Sequence, residues 1–166
     1  MRRITLTITA VAILMVAGTL LAQNWGAEPL YGTLNLNTGF TPDPQSVAVQ
    51  AGGESAVSTL AISDPTGGFC AGYIAAGQPD VRLNYTSGTT WPLRIYVQSM
   101  TDTTLVVNLP DTTWRCNDDY AGLNPLIHLD SPLSGQYDIW IGTYAPGSIE
   151  PATLYVSELS SMGPTP

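Results

Sequence analysis

Few residues in this chain are of types that do chemistry, and their spacing narrows what they can do. The only histidine, His128, sits between Ile127 and Leu129 in a strand-like run, on the face opposite theirs. A hydrolytic triad needs such a base held against a serine or cysteine nucleophile. No Gly-x-Ser-x-Gly elbow is present, so His128 reads as an ordinary strand residue. Asp118 and Asp119 are the only adjacent acids. Neighbours in sequence cannot straddle a glycosidic bond at the separations hydrolysis requires. Phosphate-binding glycine loops and zinc spacings are absent, and the chain is expected not to be an enzyme.

Binding chemistry is better represented. Asn117-Asp118-Asp119 follows Cys116 and precedes the Gly122-Leu123-Asn124-Pro125 turn cluster. A hard cation such as Ca²⁺ takes about six to eight oxygens, and an acidic loop with its carbonyls can supply several. Asn124 and Asp102 or Asp111 are weaker candidates to complete the set. The spacing is not that of an EF-hand, and the competing reading is a solvated turn whose Asx side chains bond local backbone. Trp140 and Tyr144 share one face of the 137–144 run, opposite Ile139 and Ile141. Exposed, they would form a ligand surface for a sugar ring or a protein segment; the alternative is a Trp140 covered by a neighbouring loop. Asn84-Tyr85-Thr86 matches a glycosylation sequon, a pattern short enough to occur by chance.

The elements that must position these residues belong to an exported protein. Arg2-Arg3, the apolar run 4–21 and the small residues Ala22 and Ala27 have the layout of a secretory signal peptide over residues 1–22. A retained anchor is the alternative, since the run approaches the spanning limit. No cysteine follows it to carry a lipid. The expected location is secreted or periplasmic, without a retained membrane anchor. There, exactly two cysteines suggest one disulfide, Cys70 to Cys116, against the alternative of two buried thiols. Without the leader, three arginines face 13 acids, hence a net charge of −10. Such a chain repels nucleic acid and anionic lipid.

At 166 residues the chain suits one domain. Charged residues are 11% and apolar residues 44%, and the remainder is rich in Thr, Ser, Gly, Asn and Pro. Short runs at 31–36, 46–50, 56–62, 69–74, 81–85, 93–97, 104–108, 113–116, 126–129, 137–143 and 153–157 alternate or are β-branched, with turn signals between them. About ten short strands without a sustained helical period predict an all-β fold, an antiparallel β-sandwich over 31–159. Residues 23–30 read as a flexible lead-in and 160–166 as a flexible tail.

Several of these segments together resemble a known family. Asp102-Thr103-Thr104-Leu105-Val106-Val107-Asn108, Trp114-Arg115-Cys116-Asn117-Asp118-Asp119, Gly122-Leu123-Asn124-Pro125, Ser134-Gly135-Gln136-Tyr137-Asp138-Ile139-Trp140-Ile141-Gly142-Thr143-Tyr144 and Pro151-Ala152-Thr153-Leu154-Tyr155 look like the pre-peptidase C-terminal (PPC) domain. The similarity covers about 101–158, and 31–60 resembles the front of small stand-alone secreted versions. The resemblance implies a jelly-roll-like sandwich that accompanies extracellular hydrolases without catalysing. Some relatives in collagenases bind Ca²⁺ and collagen, but their ligands do not map residue by residue here. No protease domain stands beside the module in these 166 residues, so the resemblance leaves the partner open.

Two functional readings follow. One is a secreted non-catalytic binding module, with Ca²⁺ as its expected cation, recognising an extracellular protein or glycan. The other is a structural subunit that self-associates into an extracellular or envelope polymer.

Overall fold

Val81, Leu83 and Tyr85 alternate with Arg82 and Asn84, as a strand with one fully covered face requires. The computed structural model describes residues 24–166, so the signal peptide expected at 1–22 lies outside the described residues. In it, Val81, Leu83 and Tyr85 are buried and Asn84 is exposed, while Arg82 is half-buried beneath another segment. The strands are β1 (Thr33–Asn37), β2 (Gln45–Gly52), β3 (Ser55–Ala56), β4 (Tyr73–Ile74), β5 (Val81–Thr86), β6 (Leu93–Ser99), β7 (Thr103–Asn108), β8 (Trp114–Asn117), β9 (Leu126–Leu129), β10 (Gly135–Thr143) and β11 (Ile149–Ser157).

They form a sandwich of a seven-stranded and a four-stranded sheet. In the larger sheet β10 is central. Its first half pairs with β5, its end touches β4, and its other edge pairs with β7, which pairs with β8. The smaller sheet runs β2-β11-β6-β9. Pairing is antiparallel with one departure from expectation: β1 runs parallel to β5. The inner faces contribute Leu83, Leu105, Val107, Ile139 and Ile141 from one sheet and Ile95, Val97, Leu154 and Val156 from the other. Each such side chain contributes about 1.5–3 kcal/mol of hydrophobic free energy.

The larger sheet is also covered on its outer face, and this corrects two sequence expectations. The run 56–62 is not a strand. After the two residues of β3 it becomes a 3₁₀ turn, Val57–Thr59, and a loop. Likewise only Tyr73–Ile74 of the run 69–74 pairs as strand. The segment lies over β10, β7 and β8 instead, so that Val57, Ile74, Ala76, Val106, Cys116 and Trp140 form a second apolar cluster, flanked by Leu60, Ile62 and Trp114. The disulfide Cys70–Cys116 ties the segment to β8, with the Cα atoms 5.0 Å apart.

Residues 24–30 and 160–166 are pinned rather than loose. Arg82 donates to the carbonyls of Trp25 and Ala27 at 2.6 and 2.8 Å while its Nε bonds Asp138 at 2.8 Å. The amides of Leu30 and Tyr31 bond the carbonyls of Pro79 and Asp80. At the other end, Thr165 exchanges hydrogen bonds with Gln98 and accepts one from Asn124, and Pro164 is buried. Both stretches are polar or proline-containing in composition, but their backbone groups find specific partners on the outer faces of the sheets.

Candidate recognition site

The Asn117-Asp118-Asp119 run leaves the end of β8 and disperses its side chains. Asn117 turns inward, where its Oδ1 accepts the Leu126 amide at 3.0 Å and ties β8 to the start of β9. Asp118 is buried and Asp119 exposed. Burial, and then the charge of Asp119, push the Asp118 carboxyl above its ordinary range. Asp102, in the β6–β7 turn, is raised first by burial and then by Asp119 and Asp118. The three acids therefore feel one another, and one buried oxygen of Asp102 has no hydrogen-bond partner.

The other expected cation ligands are occupied elsewhere. Asn124 is buried; its Oδ1 accepts the Ser99 amide at 2.9 Å and its Nδ2 donates to the Thr165 carbonyl at 3.0 Å. Asp111 lies in the hairpin at the opposite end of β7, accepting from the amide and hydroxyl of Thr113. Those bonds, the hydroxyl's first, hold its carboxyl below the ordinary range. The side chains of Asn117, Asn124 and Asp111 are thus engaged in hydrogen bonds within the fold. Among the described residues no group of three or more His, Cys, Asp or Glu side chains is gathered to hold a metal ion.

Trp140 is fully buried, stacked obliquely against Trp114 at 5.5 Å between ring centroids. Its assignment to a ligand surface is therefore corrected, because the 57–76 segment and the disulfide cover it. Tyr144 does reach solvent, 52% exposed, where the chain leaves β10. Its amide bonds the Asp102 carbonyl at 3.1 Å, which fixes the start of the β10–β11 turn beside the β6–β7 turn.

Two depressions meet at Tyr144. On one side an open cleft of about 620 Å³ is lined by Ala56, Phe69, Ala71, Tyr73, Tyr144 and Pro146, with Ser58, Cys70, Gly72 and Ala145 between them. Phe69 is 66% exposed there, held beside the disulfide. On the other side a recess of about 130 Å³ is lined by Thr101, Asp102, Thr143, Ser148 and Glu150, sharing Tyr144 and Ala145 with the cleft. Sequence reasoning missed Phe69, Tyr73 and Pro146. The available signal was Gly-Gly-Phe69-Cys70, a large apolar residue placed between a turn and a bridge.

His128 lies on β9 with its ring nitrogen 2.9 Å from Asp130, an exposed pair. It borders an open polar cleft between the free edges of β8 and β9, with Asp64 and Arg115 on the far wall. Asp64 accepts the Cys116 amide at 3.0 Å and so blocks the free edge of β8. Asn84, the sequon residue, is exposed on β5 and donates to the Asn35 side chain at 2.9 Å.

No helix among the described residues is long and apolar enough to cross a membrane, and the disulfide is consistent with an oxidising compartment. Comparison with protein-family models and with curated proteins finds no match.

Proposed function

We propose that this chain is an exported, non-catalytic recognition module similar to PPC domains, binding an extracellular protein or glycan through the surface around Tyr144. The observation that carries the reading is the open aromatic cleft of Phe69, Tyr73 and Tyr144, built on a disulfide and a turn. Large aromatic side chains left in solvent on a rigid frame suit stacking and docking more than stability. Ca²⁺ is proposed as a modulating cation at Asp118, Asp119 and Asp102, since a divalent ion would relieve their mutual repulsion. The test is binding of the purified protein to immobilised matrix proteins and neutral polysaccharides, in Ca²⁺ and in EDTA. Wild type should bind saturably and Phe69→Ala/Tyr144→Ala should not. Equal binding by the two proteins would sink the reading.

A second reading, self-assembly, is favoured by the edge of the smaller sheet. Strand β2 is eight residues long, carries no charge or proline, and pairs only with β11. Exposed edges of that kind invite pairing with another chain. Light scattering against protein concentration tests it. Growth that disappears in Ala48→Lys/Gln50→Lys would support assembly through β2, and a concentration-independent monomer would exclude it.

A further inference from the structure

We infer that the surface at Tyr144 docks a cationic, aromatic-bearing peptide segment, its basic group in the acidic recess and its apolar neighbour in the Phe69 cleft. The inference rests on the recognition-module reading and names the partner chemistry for that site. The recess carries the carboxylate residues Asp102 and Glu150. Asp118 and Asp119 add their charge to Asp102. Glu54 approaches the turn from above, close enough that a methyl group on Gly147 would lie 3.8 Å from its Oε1. Among the described residues no arginine answers them. Arg82 is bound to Asp138, Arg115 lies beside Asp64, and Arg94 is on the outer face of the smaller sheet against the tail at Gly163.

The occupant follows from these groups. A guanidinium or ammonium in the recess would sit beside the Tyr144 ring, an arrangement that favours cations over neutral groups. The cleft beyond is lined by alanines, Phe69, Tyr73, Tyr144 and Pro146, with the Ser58 and tyrosine hydroxyls as its polar side-chain groups. A sugar needs polar partners around its rim to replace lost water, whereas an aromatic or aliphatic side chain needs only contact. Thirteen acids against three arginines after the leader would also steer a basic segment toward the protein. Anionic polymers are repelled by the same field.

The experiment is fluorescence anisotropy with a labelled hexapeptide alternating arginine and tryptophan, at low salt in EDTA. The controls are glutamate–tryptophan, glutamine–tryptophan and arginine–glycine hexapeptides. The arginine–tryptophan peptide should bind at least about tenfold more tightly than any control, and more weakly as salt rises. Tyr144→Ala and Asp102→Asn/Glu150→Gln should each weaken it about tenfold, while His128→Ala leaves it unchanged. Thermal midpoints of the variants establish that they are folded. Equal binding of the glutamine peptide, or binding that survives Tyr144→Ala in the folded protein, would overturn the inference. If matrix proteins or polysaccharides bind through Phe69 and Tyr144 but the arginine peptide does not, only the cationic partner falls. If neither binds, the recognition-module reading falls with it.

Discussion

Asp80 gives the most quantitative test of the fold. It is 2% exposed, immediately before β5, at the gap on the β10 edge between the β5 and β4 pairings. There its Oδ2 accepts the Ile141 amide at 2.7 Å, a ladder donor that would otherwise have no strand opposite it. Burial raises its carboxyl to about 7 from the ordinary 3.8, against a smaller lowering by the Ile141 amide. The folded state therefore binds this proton more tightly than the unfolded chain. Its stabilising contribution is complete below about pH 4 and is lost as pH rises to about 7. About three pH units at about 1.4 kcal/mol each make the loss about 4 kcal/mol, or roughly 10 °C in melting midpoint for a domain of this size. Asp80→Asn keeps a carbonyl acceptor for Ile141 and removes the titration. The assay is urea unfolding of both proteins from pH 4 to pH 8, taking the difference at each pH. Other carboxylates contribute equally to both curves and cancel. The variant should gain on wild type by about 4 kcal/mol across that range. Parallel curves would mean that Asp80 is ionised at its ordinary pKa, and would refute the argument from burial.

Other substitutions have expected signs and sizes. Cys116→Ser should cost about 2–5 kcal/mol in chemical unfolding, the usual loss for a native bridge, and should expose the 57–76 segment to protease. Trp140→Ala should cost about 3–5 kcal/mol by the same measurement, because it empties the centre of the second apolar cluster. Gly142→Ala should cost about 1–3 kcal/mol, since a methyl there would collide with the Tyr73 carbonyl and the Thr104 side chain where β4 crosses β10. Millimolar Ca²⁺ should raise the midpoint over EDTA by the equivalent of about 2.7 kcal/mol at a hundredfold excess over Kd, and should not do so in Asp118→Asn/Asp119→Asn.

What was legible in the sequence divides along a physical line. Alternation at 81–85 and 93–97, the hairpin around Pro110-Asp111 and the cysteine pair all report local geometry or a covalent bond, and the structure contains each of them. The parallel pairing of β1 with β5 was not legible, because register between strands far apart depends on which edge is left free after the others have paired. The run 56–62 looks like a strand because it is apolar, but apolar side chains also serve a loop that covers a sheet. Trp140 carries the same ambiguity: alternation placed it opposite Ile139 and Ile141 and could not say what lay on that side.

The same limit explains why the acidic loop and the Tyr144 surface were each only half seen. Adjacent Asx residues read as a ligand set, but each side chain leaves the backbone in its own direction, and tertiary bonds to Leu126, Ser99 and Thr165 claim the two asparagines. Phe69 and Tyr144 are 75 positions apart in sequence, with Glu150 further on. They meet because the disulfide draws the 63–72 loop to β8 while the Tyr144 amide fastens the β10–β11 turn to Asp102. A surface assembled in this way has no local motif. Its sequence trace is compositional instead: exposed-capable aromatics, a deficit of arginine and lysine, and one covalent tie that brings a distant loop to the sheet.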